Sequence, residues 1–183
     1  MVIQIRGTSG SGKTTVMRKV MEEYKWAKHF IDGRKNPLFY TAKKGKIAVL
    51  GHYEGLACGG CDTIGSARQV FDVMKEVDAE VILAEGLLLS EDTKWALQMG
   101  DVLGESLQVV FLTTPLDQCL DRIKQRRSAA GNTKPLNPAN TTNRVGVIER
   151  ARVKLTAANI KCVRRASTQA HRTVLKWVDQ ASR

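Results

Sequence analysis

A three-layer α/β domain is the fold this chain predicts: a mainly parallel sheet of about five strands with helices on both faces, in one unit spanning residues 1–183. Three observations predict it. Short apolar runs alternate along the chain with segments whose apolar residues recur every three or four positions, as strands joined by crossover helices would. Runs such as Val81-Ile82-Leu83-Ala84 have no polar face, as a strand covered on both sides requires. The length is enough to bury a single core without disulfides or metals to staple it.

Residues 2–6 (Val-Ile-Gln-Ile-Arg) form the first expected strand. Gly7-Thr8-Ser9-Gly10-Ser11-Gly12-Lys13-Thr14 follows, a full match to the phosphate-binding pattern G-x-x-x-x-G-K-[ST]. Val16, Met17, Val20, Met21 and Tyr24 then keep helical spacing, so the loop joins a strand to a helix. In that context backbone N–H groups turn inward and a helix N-terminus points at the bound anion. Nucleotide phosphates are therefore expected on residues 7–14 and Thr15, with Lys13 reaching the β- and γ-phosphates and the Thr14 hydroxyl ligating Mg²⁺.

Residues 26–37 are mixed and polar and carry no expected element. Residues 38–42 and 47–50 read as strands joined by the basic turn Lys43-Lys44-Gly45-Lys46. A glycine-rich loop runs from His52 to Gly65, and Ala67, Val70, Phe71, Met74 and Val77 make a helical stripe. Residues 81–84 are a strand ending at Glu85-Gly86, and a helix is expected around 91–100 before a strand at 107–112. Thr114-Pro115 opens the next helix, with proline at its first turn. Residues 128–143 are a turn-rich, lid-like interruption; 144–158 resume as helix, 160–163 as a short strand, and 168–180 as a closing helix. Ligands of such sheets bind at the carboxyl ends of the strands. Residues 7–14, residues 51–62, Glu85 and residues 113–114 all fall at that edge.

No apolar run approaches the ~20 residues that span a bilayer, and no charged and apolar leader precedes the first strand, so neither membrane insertion nor secretion is expected. Four cysteines in this setting are expected as reduced thiols of a cytoplasmic protein. The net charge is +11, but it is unevenly spread. Residues 1–121 hold 14 Lys/Arg against 16 Asp/Glu, whereas residues 122–183 hold 15 against 2, a local excess of +13. Nucleotide phosphates need only a few of those cations. The surplus points to a long polyanion, with Lys161, Arg164, Arg165, Arg172 and Lys176 as nucleic-acid contacts.

Four groups can carry chemistry. Glu85, straight after a buried strand, is placed to hold Mg²⁺ opposite Thr14 or to position water, with general base as its second role. Asp62, between the glycine-rich loop and a helix, can accept the proton of an attacking hydroxyl or can cap the helix that follows it. His52 and Tyr53 can stack on a base or can be loop aromatics packed inward. Arg122, Arg126 and Arg127 enter the 128–143 segment and Arg144 leaves it, so they can neutralise a transferring phosphoryl group, form salt bridges, or contact a nucleic-acid backbone. Cys58-Gly59-Gly60-Cys61 with His52 nearby falls short of the four ligands a structural zinc site needs.

The loop at 7–14, Glu85-Gly86, Phe111-Leu112-Thr113-Thr114-Pro115 and the Arg122…Arg126-Arg127 helix, in that order, resemble the P-loop kinases of the nucleoside-monophosphate-kinase-like group. Within it, residues 51–63 and the basic last third resemble the phage kinases that phosphorylate 5-hydroxymethyluracil in DNA. The resemblance implies a P-loop NTPase fold and transfer of the ATP γ-phosphoryl group to a hydroxyl. It sets Lys13 and Thr14 on phosphate and Mg²⁺, Asp62 or Glu85 on the acceptor side, and Arg122 and Arg126 at the lid. One departure bears on the acceptor. Where nucleotide kinases bind the acceptor's own phosphate with arginine, this chain has Gly51-His52-Tyr53-Glu54, leaving only Arg34 and Arg68 nearby. A small-molecule nucleoside or nucleotide kinase, and a nucleic-acid-binding NTPase or toxin-like module, are the alternatives.

Overall fold

The structure, a computed structural model, describes residues 1–55 and 59–181. The chain order is β1 (Val2–Arg6), α1 (Lys13–Met21), β2 (Ala27–His29), β3 (Phe39–Ala42), β4 (Ile47–Leu50), α2 (Ala67–Glu76), β5 (Val81–Glu85) and α3 (Leu87–Glu91). It continues with α4 (Lys94–Leu103), β6 (Leu107–Leu112), α5 (Leu116–Ala129), α6 (Pro138–Ala157), β7 (Lys161–Arg165) and α7 (Ser167–Ala181). The sheet runs β2-β3-β4-β5-β1-β6-β7.

Seven strands are present where about five were expected. Five of them, β4-β5-β1-β6-β7, pair in parallel, and β3 and β2 extend the sheet antiparallel beyond β4. The missed strand is β2. Its three residues, Ala27-Lys28-His29, carry no apolar alternation because β2 is a short, largely exposed edge strand.

Alternation along β1 separates the two cores. Ile3 and Ile5 pack with Val16, Met17 and Val20 of α1 and Val174, Trp177 and Val178 of α7. Val2 faces the other layer, where Phe71, Met74, Ala96, Met99, Ile148 and Leu155 come from α2, α4 and α6. Gln4 and Arg6 share that second face and are fully buried. The Arg6 guanidinium donates from Nε and Nη2 to Gln4 Oε1 (2.9 and 2.6 Å) and from Nη1 to the Asp92 carbonyl (2.5 Å). Burial lowers its pKa to about 10, with Asp92 opposing, so it stays charged at neutral pH.

Two helix boundaries differ from expectation. The helix expected at 91–100 is instead two, because the Asp92 carboxylate accepts from Trp95 N and Ala96 N and starts α4 afresh. The turn-rich segment is shorter than 128–143: α5 runs to Ala129 and α6 begins at Pro138. Asn137 caps α6 through Ala139 N (3.0 Å), with proline at its first turn.

Candidate active site

The ends of β1, β4, β5, β6 and β7 surround a cleft of about 580 Å³. The loop between β1 and α1 forms its floor. Gly12 caps α1 with φ +99°, a left-handed conformation that glycine adopts without strain. Lys13 Nζ folds over the loop and donates to the Gly7 and Thr8 carbonyls (2.8 and 3.1 Å). The Thr8 and Ser11 hydroxyl oxygens are buried without a hydrogen-bond partner from the chain. Thr114 Oγ1 donates to the Ser11 carbonyl (2.7 Å) and Arg122 Nη1 to the Gly10 carbonyl (3.2 Å), holding the loop from the β6 side.

Glu85 closes β5 directly beneath the loop. It is 1% exposed, and its Oε1 accepts from Thr14 Oγ1 at 2.9 Å, so the two expected metal ligands touch. Burial raises the Glu85 carboxyl to about 7 from an ordinary 4.5; Lys13 and the Thr14 hydrogen bond pull it back, and Asp62 pushes it further up. Gly60 lies over this carboxyl with φ +81°, and a Cβ there would collide with the Glu85 side chain. Only glycine lets the loop close on Glu85 this tightly.

Asp62 lies in the 3₁₀ turn Cys61–Thr63 and lines the cleft opposite the loop. It does not cap the helix that follows. That helix, α2, has its own cap in Ser66, with a reciprocal Gln69 bond. Asp62 accepts instead from Leu87 N (2.8 Å) and Leu88 N (3.0 Å), the first turn of α3. From the same helix, buried Ser90 accepts from Gly7 N (3.0 Å) and donates to the Gly86 carbonyl (2.6 Å). One short helix therefore ties Asp62, the end of β5 and the phosphate loop together.

The other expected residues divide. Arg122, Arg126 and Thr15 line the cleft with Ser9, Gly10, Gly12, Lys13 and Thr14. Arg127 turns away, donating to Asn132 Oδ1 and the Lys134 carbonyl. Arg144 Nη1 lies 3.2 Å from Glu91 Oε1, in ion-pair range but off the hydrogen-bonding axis. Tyr53 is buried against Tyr40, and His52 Nδ1 sits 3.4 Å from the Tyr40 hydroxyl, so these aromatics pack into the fold beside the cleft. Cys58 lies outside the described residues. Cys61 is buried with its thiol pushed well above its ordinary range by desolvation, and no metal-ligating cluster occurs among the described residues. Sequence reasoning missed Lys19, Leu87, Ser167 and Thr168, which also line the cleft. Ser167-Thr168, directly after a strand and opening a helix, was a usable signal for the last two.

No family model matches the chain. Three curated proteins do. It is 42% identical over 170 residues to the 5-hmdU DNA kinase of Pseudomonas phage PaMx11, covering 88% of each chain. It is 28% identical to the 5-hmdU DNA kinase of Pseudomonas phage M6, covering 85% of each. It is 26% identical to that of Delftia phage PhiW-14, covering 76% of this chain and 58% of the relative. Among solved structures, an uncharacterized protein from Eubacterium ventriosum aligns over 98% of both chains at 12% identity with a TM-score of 0.44.

The Glu85 environment has a consequence for stability. Between about pH 4.5 and 7 the folded chain keeps a proton that the unfolded chain has lost, so this group's contribution makes stability fall as pH rises through that window. Glu85→Gln removes the titration. In urea unfolding without nucleotide or metal, wild type should lose up to about 3 kcal/mol relative to the variant between about pH 5 and 7.5. Parallel curves would show that Glu85 is ionised throughout.

Proposed function

The chain belongs to the family of the phage 5-hmdU DNA kinases, and on that premise we propose that it transfers the γ-phosphoryl group of ATP to the hydroxymethyl oxygen of 5-hydroxymethyluracil in DNA. The sorting of charge across the cleft carries the acceptor half of this reading. Lys13, Lys19, Arg122 and Arg126 lie on the phosphate loop, on α1 and on the β6–β7 side. The opposite wall is Gly59, Asp62, Glu85 and Leu87, with no cation among the described residues. A free nucleoside monophosphate would bring its own dianion against that wall; a neutral hydroxymethyl group brings none. Three arginines lie near that side and each is held by the chain: Arg18 on the Tyr53 and Gly55 carbonyls (3.3 and 2.8 Å), Arg34 on the Thr63 carbonyl (2.6 Å) and Arg68 beside Asp72 (3.8 Å).

The fold is taken as a P-loop NTPase sandwich, supported by a strand, phosphate loop and helix at the centre of a parallel sheet. Residues 7–15 hold the ATP phosphates, and Lys13 exchanges its loop carbonyls for the β- and γ-oxygens. Thr14 and Glu85 would hold Mg²⁺, which would supply positive charge to the phosphates. Asp62, oriented by the Leu87 and Leu88 N–H groups, accepts the proton of the hydroxymethyl group as its oxygen bonds to the γ-phosphorus and the bond to the bridging oxygen of ADP breaks. Arg122 and Arg126 stabilise the phosphoryl group in flight. A base stacked inside a duplex cannot reach this cleft, so the target nucleotide is flipped out or presented single-stranded. No described helix is long and apolar enough to cross a membrane; the phage origin of the relatives supports a reaction in the host cytoplasm.

The test supplies γ-labelled ATP with DNA containing 5-hydroxymethyluracil, the same DNA with thymine, and free nucleosides and nucleotides. Label should enter the modified DNA alone; label in a free nucleotide and none in DNA would overturn the proposal. Asp62→Asn should lower kcat by about 10²–10⁴-fold with ATP affinity within a few-fold of wild type. A near-wild-type rate would transfer the role of base to Glu85.

A further inference from the structure

We propose that Phe30 and Ile31 form a wedge that enters the base stack of duplex DNA and holds open the gap left by the flipped nucleotide. The inference rests on the DNA-kinase reading above and adds the surface and the manner in which the duplex is opened.

Sheet register places the wedge. Because β3 is antiparallel to both its neighbours, β2 runs in the same direction as β4 and β5. His29 pairs with Phe39 and Phe39 with Leu50, while Val49 pairs with Leu83, so His29 is level with Ala84 and Phe30 with Glu85. Phe30 thus leaves the sheet at the active-site edge, on the acceptor side, three strand spacings or about 14 Å from the end of β5.

The two side chains are 57% and 49% exposed, consecutive, and held in a defined loop. The His29 ring stacks on Phe39 (4.4 Å between centroids, 7° between planes), and its Nε2 lies 2.8 Å from Thr41 Oγ1. Leu38 N donates to the His29 carbonyl (2.8 Å), and Arg34 N donates to the Ile31 carbonyl (3.1 Å), closing the turn behind the tip. Arg34 then reaches the Thr63 carbonyl, one residue from Asp62, so the tip is tethered to the turn that carries the proposed base. The other large apolar side chains left exposed, Leu88, Val102, Val145 and Val153, each stand singly on helices.

Charge complementarity selects the occupant. Lys28, Arg34 and Lys35 flank the tip, with Asp32 the one acid in residues 28–37 and Glu54 paired to Lys28 at 2.5 Å. Three cations against two acids leave the loop a net +1, with Lys28 held by Glu54 and Arg34 by the Thr63 carbonyl. Lys35 is therefore the cation beside the apolar tip for a DNA phosphate, and Phe and Ile are among the side chains that unstack DNA. The C-terminal cations on β7 lie at the opposite edge of the sheet, beyond the phosphate loop. They can contact the DNA backbone but are not at the acceptor side.

The test compares wild type with the double variant Phe30→Ala/Ile31→Ser on one 5-hydroxymethyluracil sequence, supplied as duplex and as single strand. Losing the wedge should reduce phosphorylation of the duplex by about tenfold or more while single-strand turnover stays within about twofold. Equal loss on both substrates, or no loss on the duplex, would overturn the wedge. Wild type failing to label either form of DNA would instead overturn the kinase reading on which it rests.

Discussion

The hydrogen bond between Thr14 and Glu85 fixes the relation between the two walls of the cleft, and most of the site is arranged around it. Thr14 belongs to the phosphate side and Glu85 ends the strand on the acceptor side. Keeping that carboxyl dry and close to Lys13 requires Gly60 above it and the parallel strands β1, β4 and β5 around it. The same burial that positions Glu85 raises its pKa, so the carboxyl proposed as a metal ligand is held near its titration point at neutral pH.

Helix α3 extends this constraint. A five-residue helix contributes little stability of its own. Its value lies in its ends: two N–H groups orient Asp62, and Ser90 joins the Gly7 amide to the Gly86 carbonyl. Arg6, buried behind the loop and bonded to the Asp92 carbonyl, holds the C-terminal end of the same helix. The β1–α1 loop and Asp62 are therefore joined through a chain of named hydrogen bonds.

Periodicity was enough to read the central parallel strands and the helices that cover them, because residues buried on both faces leave continuous apolar runs. It failed at β2, where the strand is three residues at an edge, and at the α3–α4 junction, where a single Asp92 carboxylate restarts the helix. The strand–loop–helix around residues 7–14 was legible because the apolar spacing changes from strand to helix on either side of the loop. Asp62 was recognisable as a cap or a base, but its capping partners lie 25 and 26 residues further along, beyond any local pattern. Arg144 could be read as a phosphate ligand, a salt-bridge partner or a nucleic-acid contact, and only the fold brings Glu91 within ion-pair range of it. The basic last third was read correctly as a charge excess. Its division between the cleft and the far sheet edge follows only from strand order.

The central claim is that the acceptor is a hydroxyl on a base and not a strand end or a free nucleotide. The most direct measurement is to digest the labelled DNA product to nucleosides and locate the phosphate by mass spectrometry. The account predicts a phosphate on the hydroxymethyl oxygen of the modified uracil, at internal positions of the strand. Phosphate confined to 5′ or 3′ termini would contradict it.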